Sequence, residues 1–261
     1  MRNSIAIAKK ELNIYFATPI AYVMFTLFVI VGSFLFLRLI GAYEIATLQY
    51  MKEQDPAQLA ALNFQDRIFH GLFLNLGTVL IFVMPFLTMR LLAEEKKQKT
   101  IELLYTTPIT SMSIVLGKFI AAVAILAITL ALTVIYPILV QTFANDPNGV
   151  DWRSIGLSYL GLFLLGSAFT AIGIFISALT ESQIVAALVT WAVLLLLWIV
   201  GLAGAEAEGW LRELVTYLSS GAHLDSFTKG TLALKDVVYF LSLIILGLFA
   251  TNRAVEAHRW S

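Results

Sequence analysis

Long apolar runs alternate along the chain with short polar stretches, and the length of the runs sets the reading. Ile20–Leu37, Gly71–Met89, Phe119–Val140, Ile155–Leu179 and Ile184–Ala203 each approach or reach the roughly 17–25 mostly apolar residues that a helix needs to cross a hydrocarbon core. Val237–Thr251 is shorter, but only Lys235, Asp236 and Arg253 bracket it, so it counts as a sixth. The pattern predicts an all-α polytopic membrane protein of six transmembrane helices. An even number of crossings puts both ends of the chain on one side. Lys9 and Lys10 precede the first run as in a signal peptide, but the run is long and no small-residue cleavage site clearly follows it. It reads as an uncleaved signal anchor.

The stretches between the runs carry their own periodicities. Ile5, Ala8, Leu12 and Tyr15 recur at helical spacing, with Lys9 and Asn13 on another face. That pattern predicts an interfacial elbow helix before the first span; the simpler alternative is the membrane-proximal start of that span. Thr18 and Pro19 suit an N-cap and a first helical position. The loop Gly41–His70 mixes Glu44, Glu53, Asp55 and Asp66 with Leu59, Leu62, Phe64 and Phe69, and is expected to be partly helical. Pro85 and Pro137 are expected to kink spans two and three, static packing being the commoner reason for such kinks. Gly166, Thr170, Gly173 and Ser177 align small residues on one face of span four, where another helix can approach closely. Packing within one subunit is the simpler use of that face than a dimer seam. Between spans five and six, in Glu206–Asp236, the residues Trp210, Leu211, Leu214, Val215 and Leu218 are amphipathic. They predict a short outer helix or a re-entrant pair.

Composition sharpens this picture. Of the 261 residues, 59% are hydrophobic and 13% charged, about half the charged fraction of a soluble domain; mean hydropathy is +0.86. The chain has no cysteine, so disulfides, thiolate metal sites and cysteine nucleophiles drop out. Net charge is zero, which removes a global field for nucleic acid. The side holding the termini carries ten of the 17 basic residues and six of the 17 acidic ones. By the positive-inside rule, both termini and the segment Arg90–Lys118 are then cytoplasmic, in a cell (inner) membrane.

The polar residues exclude several chemistries. No Asp, Glu or His falls inside the six runs, and Arg38, Arg90 and Lys118 lie near their ends, where long basic side chains can snorkel. Ion-coupled transporters rely on ionisable groups within the membrane as relays. Ser167 sits mid-run, but His70, His223 and His258 lie outside the runs, leaving no base at its depth for an intramembrane hydrolase. His223 with Asp225 is a weak metal pattern, and an ordinary surface histidine is the simpler reading. Gly117-Lys118 is not a phosphate loop: Met112 holds the upstream glycine position and Phe119 replaces the Ser or Thr. Any ATP that drives this chain is handled by another polypeptide.

One segment has features of a docking handle. Arg90–Lys118 holds five basic and three acidic residues, yet also Ile101, Leu103, Leu104 and Tyr105. A plain solvated linker does not need that apolar cluster; a short helix seated in a partner does. Pro108 is expected to stop the helix, and Thr110 or Ser111 to cap the start of span three.

Lys9–Val23, Met89–Thr110 with Ile114–Phe119, the turn Phe175–Leu188, and His223–Leu243 together resemble ABC-2 type transporter permeases, most closely the gliding-motility-associated type. The resemblance implies a single ABC-2 type transmembrane domain over residues 1–261, an exporter half that works as a dimer with separate ATPase subunits. It implies an elbow helix at Ser4–Phe16 and a coupling helix at about Ala93–Thr106. A second intracellular contact is implied at Leu179–Gln183. The ATPase-coupling residues are then Glu94, Glu95, Thr100, Ile101, Glu102, Leu103, Leu104, Tyr105 and Glu181. ATP and Mg would sit on the partner ATPase, with no cofactor in this chain. The second permease subunit would be the same chain or a related membrane protein with an extracytoplasmic domain. A rival function is mechanotransmission, in which ATP-driven motion acts on an outer partner and no substrate crosses.

Overall fold

The computed structural model describes residues 2–53, 65–99, 110–143, 150–203 and 208–259, and every regular element among them is helical. Six helical stretches are long and apolar enough to cross a membrane: Pro19–Glu53, Arg67–Lys97, Ser111–Phe143, Trp152–Leu179, Gln183–Leu202 and Leu234–Ala257. They coincide with the six apolar runs, and all but the fifth extend beyond them.

Helix α1 (Arg2–Ala17) precedes the first span as a separate element, and α2 (Pro19–Glu53) follows after a break at Thr18. Thr18 acts on the helix before it. Its hydroxyl donates to the carbonyls of Ile14 and Tyr15, at 3.0 and 3.2 Å, closing the last turn of α1. The face that α1 buries is rotated from the expected one. Ser4, Ala8, Glu11 and Tyr15 are inside, whereas Ile5 is exposed. Its partner is span three, and Gly117 permits the close approach: a Cβ there would stand 2.7 Å from Ile7 Cβ and 2.8 Å from the Ser4 carbonyl.

The first span departs most from expectation, because α2 continues through much of the expected loop to Glu53. Between Gly41 and Glu53 there is no proline, and Ala46, Leu48, Gln49, Met51 and Lys52 are strong helix formers. Gln49 Nε2 donates to Glu53 one turn on, at 2.9 Å. Asp55, Leu59, Leu62 and Phe64 of that loop lie outside the described residues. A π-helical turn, Gln65–His70, leads into α3 (Gly71–Thr88), which holds Pro85.

The short helix α4 (Ala93–Lys97) follows, then span three as α5 (Ser111–Thr133) and α6 (Ile135–Phe143). The break at Val134 comes three residues before Pro137, whose ring lacks the N–H that would bond the Thr133 carbonyl. The central element is α7 (Trp152–Leu179), which packs against α3, α5 and three helices still to come. These are α8 (Gln183–Ala203), α10 (Ser220–Thr228) and α11 (Leu234–Arg259); α9 (Gly209–Leu218) precedes α10. The small face of α7 serves internal packing. Gly166 abuts Leu126 of α5, and Gly173 abuts Thr88 of α3, where any larger residue would collide. The segment between spans five and six is two short helices, α9 and α10. The apolar pattern on α9 leaves Trp210, Leu211, Leu214 and Leu218 exposed.

Candidate functional site

The handle begins where α3 ends, and its first turns are tied to three other helices. The Ser177 hydroxyl, near the end of α7, accepts from the backbone N–H groups of Leu92 (3.1 Å) and Ala93 (3.0 Å) and donates to the Met89 carbonyl at 3.0 Å. Helix N-termini leave N–H groups without intrahelical partners, and Ser177 supplies an acceptor at the N-terminus of α4. At the other end of α4, Lys96 Nζ donates to the Ala178 carbonyl at 2.5 Å. Lys99 then turns the chain out of the helix with a left-handed φ of 55°, a conformation more often given to glycine or asparagine.

The strongest tie is ionic. Lys118, 2% exposed, sits 2.9 Å from Glu11 of α1 and 2.8 Å from Glu95 of α4, and Lys10 adds a longer contact to Glu95 at 3.7 Å. One buried ammonium therefore joins the elbow helix, the handle and span three. Desolvating three charges is costly, and the arrangement holds because both carboxylates face the same cation. Beside it, Arg90 lies over the Tyr15 ring, 4.6 Å from its centre. Tyr15 donates to the Leu87 carbonyl at 2.7 Å. Burial pushes the Tyr15 hydroxyl pKa upward, against the pull of Arg90, which keeps it a neutral donor. A cavity of about 220 Å³ lies among Lys10, Glu11, Arg90, Glu94, Glu95 and Lys118.

These contacts separate residues that the sequence treats alike. Glu95 is occupied inside the chain. Glu94 is half-buried and accepts from Gln98 Nε2 at 3.3 Å. Glu181 is exposed in the connection from α7 to α8, where the Thr180 hydroxyl accepts from the Ser182 N–H at 3.1 Å. The Lys96–Ala178 bond brings α4 within three residues of Glu181 along the chain. Thr100, Ile101, Glu102, Leu103, Leu104, Tyr105 and Pro108 lie outside the described residues. Thr110 caps span three as expected, accepting from the Ser113 N–H at 3.3 Å.

Two expectations are corrected. Lys118 does not snorkel at a span end: span three starts at Ser111, two turns earlier than the apolar run, so Lys118 falls within the helix and is buried. His223 is not a surface residue. It is 5% exposed, 2.6 Å from Asp236 through Nδ1 and 2.8 Å from the Tyr217 carbonyl through Nε2. Asp225 instead faces His70, at 3.1 Å, and Lys229. Among the described residues no group of three acidic or histidine side chains could hold a metal.

Sequence reasoning missed Glu11, Lys96, Ser177 and the role of Lys118. The signal for Glu11 was present: it lies three residues after Ala8 and four before Tyr15, on the buried face. A carboxylate in an apolar stripe needs a cation.

With this geometry in place, comparison with known families is direct. The chain matches the model of the ABC-2 family transporter protein over residues 5–247, and it belongs to that family. No curated protein matches it. It is a multi-pass membrane protein and a permease subunit of an ABC exporter, not itself the ATPase; the family implies an ABC ATPase partner.

Proposed function

We propose that this chain is the membrane half of an ATP-driven exporter of the gliding-motility-associated type, a single transmembrane domain that dimerises and receives force at its handle. The observation that carries this reading is the buried Lys118 joining α1, α4 and α5. A segment pushed by a partner must be rigidly held by the spans it moves, and α4 is tied to α1, α5 and α7. Glu94, Gln98 and Glu181 form the described part of the docking face. Thr100, Ile101, Glu102, Leu103, Leu104 and Tyr105 supply its remaining anchors, and Glu95 fixes the helix from behind. In this reading both termini are cytoplasmic in the inner membrane, and α1 is the interfacial elbow. ATP and Mg sit on the partner ATPase. The second permease subunit is this chain or a related membrane protein with an extracytoplasmic domain.

The exposed apolar face of α9 favours a second mode, in which ATP-driven motion acts on an outer partner without flux. Substrate-stimulated ATPase with vesicle uptake supports export; ATPase without flux supports transmission.

The docking face is tested by Glu94→Arg with Glu181→Arg in the subunit co-expressed with its ATPase. Reversing charges that meet a basic partner can cost several kcal/mol. Co-purification of the ATPase is expected to fall roughly tenfold or more, with membrane levels of the subunit unchanged. Undiminished co-purification would contradict the assignment.

A further inference from the structure

At the end of the bundle opposite both termini, α9, α10 and the start of α11 line a cavity of about 480 Å³ that is open to the outside. Its floor is the His223–Asp236 pair. The Tyr217 carbonyl can only accept a hydrogen bond, so His223 Nε2 carries the proton of that 2.8 Å contact. His223 Nδ1 and Asp236 Oδ1 then share a proton across 2.6 Å. This fixes the carboxyl group rigidly. Tyr239 stacks on the imidazole at 4.0 Å between centres, and Tyr217 meets its edge at 5.4 Å. The other carboxyl oxygen, Asp236 Oδ2, is buried and has no hydrogen-bond partner, although Asp236 is only 1% exposed. A buried acceptor left without a donor is costly, and this one belongs to a residue that lines the cavity.

The lining defines the ligand chemistry. Arg212 and Lys235 offer cationic donors, Glu213 offers an anionic acceptor, and Thr216 and Ser226 offer hydroxyls. A free cation meets Arg212 and Lys235 on the walls. A free anion meets the lone pairs of Asp236 at the floor. A neutral molecule rich in hydroxyl groups satisfies both, donating to Asp236 Oδ2 and accepting from Arg212 and Lys235. The half-exposed Tyr217 ring adds an apolar face of the kind that a pyranose ring covers. We infer that this cavity is a binding site for a polyhydroxylated ligand, a sugar or the glycan part of a larger molecule, with Asp236 as the deep acceptor. The site goes beyond the exporter reading and does not depend on it, because binding is a property of the isolated subunit.

The test is saturation-transfer NMR on the purified full-length chain in phosphatidylcholine nanodiscs, free of sugar-based detergent. Maltose and chitobiose are the probes; choline and inorganic phosphate are the charged controls. Saturable binding of at least one disaccharide in the millimolar range or tighter is expected, with neither control competing. Asp236→Ala removes the acceptor, and should weaken binding roughly tenfold or more. Arg212→Ala removes an exposed side chain that the fold does not use, and should weaken binding several-fold with no change in melting temperature. It decides the matter if Asp236→Ala does not fold. Three results overturn the assignment: no sugar binding in the unaltered chain, binding of choline or phosphate in place of sugar, or sugar binding unchanged in Arg212→Ala.

Discussion

The two ends of the molecule each bury an ionic group, but they use it differently. At the end bearing the termini, Lys118 joins residues 107 positions away in α1 and 23 away in α4, so that three elements meet at one ammonium. At the opposite end, His223 and Asp236 are 13 residues apart and join α10 to α11, with the Tyr217 carbonyl of α9 on the other ring nitrogen, so the helices tied are neighbours in sequence. The first group sets one cation between two carboxylates, with Lys10 a longer contact beyond. In the second, Asp236 Oδ2 is buried without a hydrogen-bond partner, on a residue that lines a cavity. A junction between helices distant in sequence couples their positions, whereas a group between successive helices fixes one end locally. On the proposed readings, the first end transfers force and the second binds a ligand.

Breaking the junction should have the largest effect. Lys118→Met leaves Glu11 and Glu95 facing each other in a buried site, and removing one member of a buried ion group costs about 3–5 kcal/mol. A clear fall in melting temperature of the purified subunit is expected. Adding Glu11→Gln and Glu95→Gln to Lys118→Met should recover most of it, since the like charges are then gone. Failure of that rescue would show that packing, not charge, holds α1 to α4.

His223→Phe comes next. The ring stack on Tyr239 survives, but Asp236 and the Tyr217 carbonyl lose their partner, at about 1–3 kcal/mol. Melting temperature should fall while ATPase activity of the assembled complex stays within about twofold of the unaltered protein. A fall in ATPase activity well beyond that range would erase the distinction between the two ends.

Lys10→Ala should have the smallest effect. Its ammonium is 59% exposed and 3.7 Å from Glu95, and exposed pairs of that kind contribute about 0–1 kcal/mol. Its melting curve should overlay that of the unaltered chain at moderate salt. A large shift would mean that Lys10, rather than Lys118, holds Glu95.

Much of the architecture was legible from run lengths, because a bilayer sets a minimum span and the apolar runs meet it. The Thr110 cap and the break before Pro137 were legible for local reasons: each depends on one hydroxyl or one missing N–H. The junction was not. Glu95 reads as a docking carboxylate because it sits in a charged stretch, and only the fold shows that Lys118 reaches it. Ser177 looks like one more small residue on the face of α7, yet its hydroxyl serves three backbone groups of another segment. His223 reads as an ordinary surface histidine, but in the fold it is buried and its partner is Asp236 rather than Asp225. Ionic pairs between distant elements leave no spacing in the sequence.

The most direct measurement uses the absence of cysteine from the chain. Single substitutions Gln98→Cys, Glu181→Cys and Thr231→Cys place one thiol each at exposed positions, two beside the handle and one at the opposite end. Each is labelled with a photoreactive maleimide in the complex with the ATPase and irradiated. Cross-links to the ATPase are expected from Gln98→Cys and Glu181→Cys, with none from Thr231→Cys. A complex that hydrolyses ATP yet gives no cross-link at the first two positions, or gives one at the third, would contradict force transfer through the handle.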